Sequence, residues 1–114
     1  MPPNPAGYTV VTDRTGMQPL NTETATYVSG QFASEYLEYE YDGLDSQPHL
    51  REMTETALQI LDNDPDGFFL MVEGAKIDPA AHGNDNPRAV METIEFAKAV
   101  QKAIDWAAGR SDTL

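Results

Sequence analysis

No cysteine occurs among the 114 residues, which excludes disulfides and thiolate metal sites alike. Cationic side chains are scarce. Seven Lys and Arg face nineteen Asp and Glu, for a formal net charge of -12, and the lysines are Lys76, Lys98 and Lys102. So anionic a surface argues against a nucleic-acid backbone or an anionic membrane as partner. It also makes any phosphate chemistry depend on bound cations. The acids are scattered rather than gathered in one tail, as on the solvated acidic surfaces of proteins adapted to high salt. No apolar run approaches the length of a membrane span. The start, Met1-Pro2-Pro3-Asn4-Pro5, lacks the charged and apolar regions of a secretory leader.

What is present suffices for one small domain, and an apolar share of 40% permits a core. Residues 1–47 read as an irregular surface segment with short strands. Gly7 to Thr12 suits one strand and Tyr27 to Phe32 another, with a helical turn at Asn21 to Thr24. Glu35 to Asp42 alternates acids with Tyr and Leu, the mark of a half-buried edge. Its Glu38, Glu40 and Asp42 are expected on a solvated face, because residues two apart on a strand have no fixed chelating geometry.

Residues 48–114 carry a sharper pattern. Leu50, Met53, Ala57, Leu58 and Leu61 fall at helical spacing after the start signals Ser46 and Pro48. Asn63-Asp64-Pro65-Asp66-Gly67 stops that helix. Phe68-Phe69-Leu70-Met71-Val72 is an unbroken apolar run, expected as a central strand buried on both faces. A loop follows to Asn86. Pro87 opens a long helix to about Ala108, with Val90, Ile94, Ala97, Gln101, Ile104 and Ala108 along one stripe and Met91, Val100, Ala103 and Trp106 widening it. Ser111 to Leu114 reads as the approach to another strand. This is an α/β unit with an incomplete sheet: a chain this short cannot cover both faces of its own central strand, so other strands must come from elsewhere.

In open α/β sheets functional groups collect at the carboxyl ends of the strands. Glu73 stands at such an end, where a carboxylate is costly unless it is paired or binds a cation. Asp78 comes five residues later and His82 four beyond it. With Asp78 as N-cap and Pro79 at the first helical position, one turn brings Asp78 and His82 to the same side. A carboxylate oxygen and an imidazole nitrogen make a natural pair of zinc ligands, and Glu73 suits magnesium. The spacing alone more often describes a capping aspartate beside a surface histidine.

The block Phe68 to Asp78 with His82 resembles the middle block of bacterial and animal alkaline phosphatases. Glu52 to Ala57 before it, and Glu92-Thr93-Ile94 to Ala99-Val100-Gln101 after it, resemble that family's flanking blocks. The likeness covers residues 48–114 well and Gly7 to Gln31 loosely. It implies a partial alkaline-phosphatase-like fold in which Glu73 binds magnesium while Asp78 and His82 bind one of two zincs. It further implies phosphate monoesters as substrates, a phosphoseryl intermediate, a homodimer as the intact enzyme and a periplasmic or extracellular location. Pro79 stands where the family often has a lysine or histidine close to the phosphate, and Ala97 replaces a common acidic residue. The family's nucleophilic serine lies in an Asp-Ser block upstream of this region. The only Asp-Ser pair here, Asp45-Ser46, reads as a helix start, so no catalytic residue is assigned. A Thr-Ala-Asp-His block for the second zinc would follow Leu114.

Two rival readings accompany this one. The chain could be a non-catalytic acidic module binding a divalent cation or a protein, or part of a related phosphoryl-transfer enzyme such as a phosphodiesterase or cofactor-independent mutase. Of the two histidines, His49 is expected to face solvent beside Pro48.

Overall fold

A computed structural model describes residues 6–114; Met1 to Pro5, read above for a leader, lie outside the described residues. Asp13 begins the first helix, α1 (Arg14–Met17), by accepting the Gly16 N–H at 2.6 Å. Strands β1 (Thr9–Val11) and β2 (Val28–Gly30) flank it and pair in parallel, with Thr9 opposite Val28 and Val11 opposite Gly30. Parallel strands need a crossover, and residues 12–27 with α1 supply it. Arg14 fastens that crossover to the rest of the chain. Its Nε and Nη2 donate to Glu52 Oε1 at 2.9 and 2.7 Å, and its N–H donates to the Ser46 carbonyl at 2.7 Å.

Helix α2 (Leu50–Leu61) realises the 50-53-57-58-61 spacing. It starts later than Ser46 and Pro48 suggested: His49 is its N-cap, and Pro48 is fully buried just outside it. Gly67, at φ +85° in the turn that follows, occupies a backbone region that side chains avoid. The short helix α3 (Ile77–His82) and the long helix α4 (Asn86–Ala107) complete the order. Helices α2 and α4 pack closely, which Ala99 permits by having no accessible surface. Helix α3 packs on α4 through buried Ala80. A Cβ at Gly74 would lie 3.0 Å from both Ile77 Cδ1 and Phe96 Cγ, so any larger residue in the turn into α3 would have to displace those side chains.

The α/β class therefore holds, with four helices and a two-stranded parallel sheet among the described residues. The apolar run 68–72, expected as a buried central strand, lies in no regular element and pairs with no strand among them. Its faces differ. Phe69 is 89% and Met71 78% exposed, whereas Phe68 is half-buried and meets Trp106 edge-on, with ring centroids 5.5 Å apart. One face lies toward α4, and the described residues supply no neighbouring strand for the other.

The long helix likewise departs from the expected stripe. Val90, Ile94, Ala97, Gln101, Ile104 and Ala108 are all exposed, and the buried line is Glu92, Glu95 and Ala99. Periodicity showed that α4 has an apolar face, but α2 packs on the adjoining face, where alanine allows approach and the carboxylates have partners. The radius of gyration, 15.3 Å, exceeds the roughly 13 Å of a compact domain of this length, as expected of a flat unit with one apolar side open. Ser111 to Leu114 are exposed and in no regular element.

Candidate metal site

Asp78 lies inside the first turn of α3, with Lys76 as the N-cap, two positions past the capping role its Pro79 neighbour suggested. The consequence expected from spacing still follows. Asp78 Oδ1 and His82 Nε2 are 3.4 Å apart, four residues apart on one side of the helix. Their side chains are 80% and 81% exposed, so neither is held by a buried partner. Two ligand atoms each about 2.1 Å from a tetrahedral zinc lie about 3.4 Å from one another. The pair thus has the separation that shared zinc ligation demands.

Glu73 follows the apolar run, exposed, and lines a cavity of about 60 Å³ together with Glu40, Lys76 and Glu92. Carboxylates around one ammonium make that cavity a place where cations, not anions, are favoured. Burial pushes the Glu92 carboxyl above the ordinary range, against the pull of the Glu40 N–H that Glu92 Oε1 accepts at 2.8 Å. Arg88 acts oppositely on two other carboxylates. Its hydrogen bonds hold Asp42 and Asp85 below their usual range, and the two carboxylates raise Arg88 in turn.

Sequence reasoning missed a second group. Glu40, from the 3-10 turn Glu40–Asp42, joins His49 and Glu95 so that one ligand atom from each lies within 4.8 Å of the others. His49 is therefore not the solvent-facing residue expected. Its Nδ1 lies 2.8 and 3.0 Å from the two Glu40 oxygens. Glu40 leaves the solvated face for His49, whereas Asp42 stays exposed as expected and pairs there with Arg88, whose Nε and Nη2 reach its two oxygens at 2.8 and 2.7 Å. Residues two apart diverge here because a 3-10 turn, not a strand, carries them.

This second group is already neutralised. The guanidinium and N–H of Arg51 both donate to Glu95, which is 3% exposed. A fixed cation beside the carboxylate opposes a metal ion there, so the cluster works as a tie between the 3-10 turn, α2 and α4. Its members are 9 to 55 positions apart, and no local spacing announces them.

Known proteins resemble this chain over most of its length. The alkaline phosphatase family model matches residues 4–114. Alkaline phosphatase 3 of Bacillus subtilis (strain 168) is 43% identical over 109 residues, 96% of this chain and 23% of that protein. The membrane-bound alkaline phosphatase of Bombyx mori is 37% identical over 99 residues, covering 86% of this chain and 18% of its own length. The tissue-nonspecific isozyme of Rattus norvegicus is 37% identical over 94 residues, or 82% and 18%. The chain spans less than a quarter of each of these relatives. No helix among the described residues is long and apolar enough to cross a membrane. By the extent of the match and by identities well above 30%, the chain belongs to the alkaline phosphatase family.

Proposed function

We propose that this chain is a metal-ligand segment of a metal-dependent phosphate monoesterase, with Asp78 and His82 as ligands to one zinc and Glu73 to magnesium. The 3.4 Å separation of Asp78 Oδ1 and His82 Nε2, with both side chains open to solvent, carries the reading. Residues 48–114 form the metallohydrolase portion and residues 1–47 the surface portion that flanks it. When bound, such a metal acts as a Lewis acid toward a phosphate-ester oxygen and lowers the pKa of bound water.

The chain's own residues do the preparatory work. Asp78 and His82 project from one turn of α3, so their separation is set by helix geometry before any ion arrives. Asp78 supplies negative charge and His82 a neutral nitrogen, a donor set matched to zinc. Pro79 has no side-chain donor for phosphate, so anion affinity depends on the cations rather than on this position. Ser46 is exposed at the foot of α2, its carbonyl engaged by Arg14, and it serves that contact rather than attacking phosphorus. As whole-enzyme attributes we propose phosphate monoesters as substrates, homodimeric assembly and a periplasmic or extracellular place.

Zinc titration against a chromophoric chelator tests the ligand assignment. His82→Ala is expected to weaken zinc at least about tenfold, and equal affinity in both chains would overturn it. The isolated chain is expected to show no hydrolysis of an aryl phosphate above background; chelator-sensitive turnover would contradict that. The rival reading as a non-catalytic cation module draws on the Glu40, His49 and Glu95 group. It requires His49→Ala, rather than His82→Ala, to abolish binding.

A further inference from the structure

Helix α3 has six residues, too few to hold its own shape in water. Of these only Ala80 is buried, while Asp78 and His82 touch chiefly each other. Packing of Ala80 on α4 seats the turn, and the contacts at its two ends bear on the direction in which it aims its two side chains. Both ends lead to the same place. Just before the helix, Lys76 Nζ sits 3.8 Å over the Tyr39 ring and 5.6 Å from that of Tyr36. Just after it, the Asp85 N–H donates to the Ala80 carbonyl at 2.9 Å. The Asp85 carboxylate accepts from the Arg88 N–H and Nη1 at 3.2 and 2.6 Å. Arg88 then pairs through two nitrogens with Asp42 and lies 5.5 Å from the Tyr39 ring. Residues 39–42 are themselves anchored, through the Glu40 N–H on Glu92 and the Glu40 carboxylate on His49.

We propose that the aromatic-acidic segment 36–42 clamps both ends of α3, making Tyr39 and Lys76 positioning residues for Asp78 and His82. The importance of the clamp for metal rests on the ligand reading above; its existence does not. A cation held over an aromatic face is favourable without needing a hydroxyl, so the ring and not the phenol oxygen of Tyr39 matters.

Hydrogen exchange in the 114-residue chain without metal tests the clamp directly. The amides of Gly83, Asn84 and Asp85, which donate to the carbonyls of Pro79, Ala81 and Ala80, are the reporters. Tyr39→Leu and Lys76→Met are each expected to speed their exchange by about three- to thirtyfold, with little further gain when combined. Tyr39→Phe and Lys76→Arg are expected to retain protection. Unchanged exchange in Tyr39→Leu, or equal damage from Tyr39→Phe, overturns the proposal. If Tyr39→Leu unfolds the chain, seen as lost protection throughout α2, the contrast of Lys76→Met with Lys76→Arg decides the point. Zinc titration of the same variants is expected to weaken in step with exchange. Should His82→Ala leave zinc affinity untouched, the ligand reading fails, while the exchange data still decide the clamp.

Discussion

Two groups in this small protein combine carboxylates with a histidine, and they have opposite surroundings. Asp78 and His82 stand four residues apart on α3, about four-fifths exposed, at zinc-ligand separation. Glu40, His49 and Glu95 converge from three separate parts of the chain, with Glu95 buried and held by Arg51. Identical chemistry thus serves two ends. Open to water and without a fixed cation, it is available to a metal; buried beside a guanidinium, it ties elements together. Burial and neutralisation, not ligand type, decide which role a cluster takes.

The sharpest way to break this contrast is to remove the neutralising cation. Arg51→Ala leaves the buried Glu95 carboxylate with only the more distant Lys98 ammonium, at 3.8 Å, and a backbone N–H, and is expected to cost on the order of 2 kcal/mol in denaturant unfolding. Asp78→Ala, on the open pair, is expected to stay within about 0.5 kcal/mol of the parent. Similar losses from both would erase the distinction.

Ligand exchange gives the next largest effect. The tenfold zinc loss expected of His82→Ala has its control in His49→Ala, which is expected to leave zinc affinity unchanged while lowering stability. The reverse pattern would move the metal to the buried group.

Acid titration sharpens the structural half. Burial alone would raise the Glu52 carboxyl, but the His49 N–H and the Arg14 guanidinium outweigh it and hold the group below its ordinary range. A carboxyl with a lowered folded pKa stabilises above its unfolded value near 4.3 and loses that contribution as pH falls through the folded value. Glu52→Gln is therefore expected to flatten the acid side of the stability profile, by about 0.5 kcal/mol. An unchanged acid limb would show that Arg14 and Glu52 contribute nothing to folding.

Glu92 has the opposite sign and the smallest expected effect. Its raised carboxyl disfavours the folded state when ionised, and the penalty disappears as pH falls through the folded pKa. Glu92→Gln keeps an acceptor for the Glu40 N–H and is expected to raise the thermal midpoint slightly at pH 7 and not at pH 4. A fall at pH 7 would mean that the Glu92 charge is needed, as it would be beside a cation bound at Glu73.

Much of α2 and α4 was legible in the sequence, because apolar spacing, a turn-forming cluster and Pro87 are local signals. The Asp78 and His82 pair was legible for the same reason: four residues on a helix return to one side. The stripe of α4 was misassigned because Val90, Ile94 and Ile104 are apolar without being covered by this chain, whereas Glu92 and Glu95 are covered without being apolar. Their burial depends on Glu40, 52 positions from Glu92, and on Arg51, 44 positions from Glu95.

By itself, then, the sequence determined the α/β class, helices α2 and α4, the exclusion of thiolate chemistry and the placement of Asp78 and His82 on one side of a helical turn. Each of these follows from residue type and short-range periodicity. Only the tertiary structure decided that His49 is engaged, that Glu40 and Asp42 part company, and that residues 39–42 reach both ends of α3. Those facts are set by contacts between residues far apart in the chain, whose partners no local pattern can name.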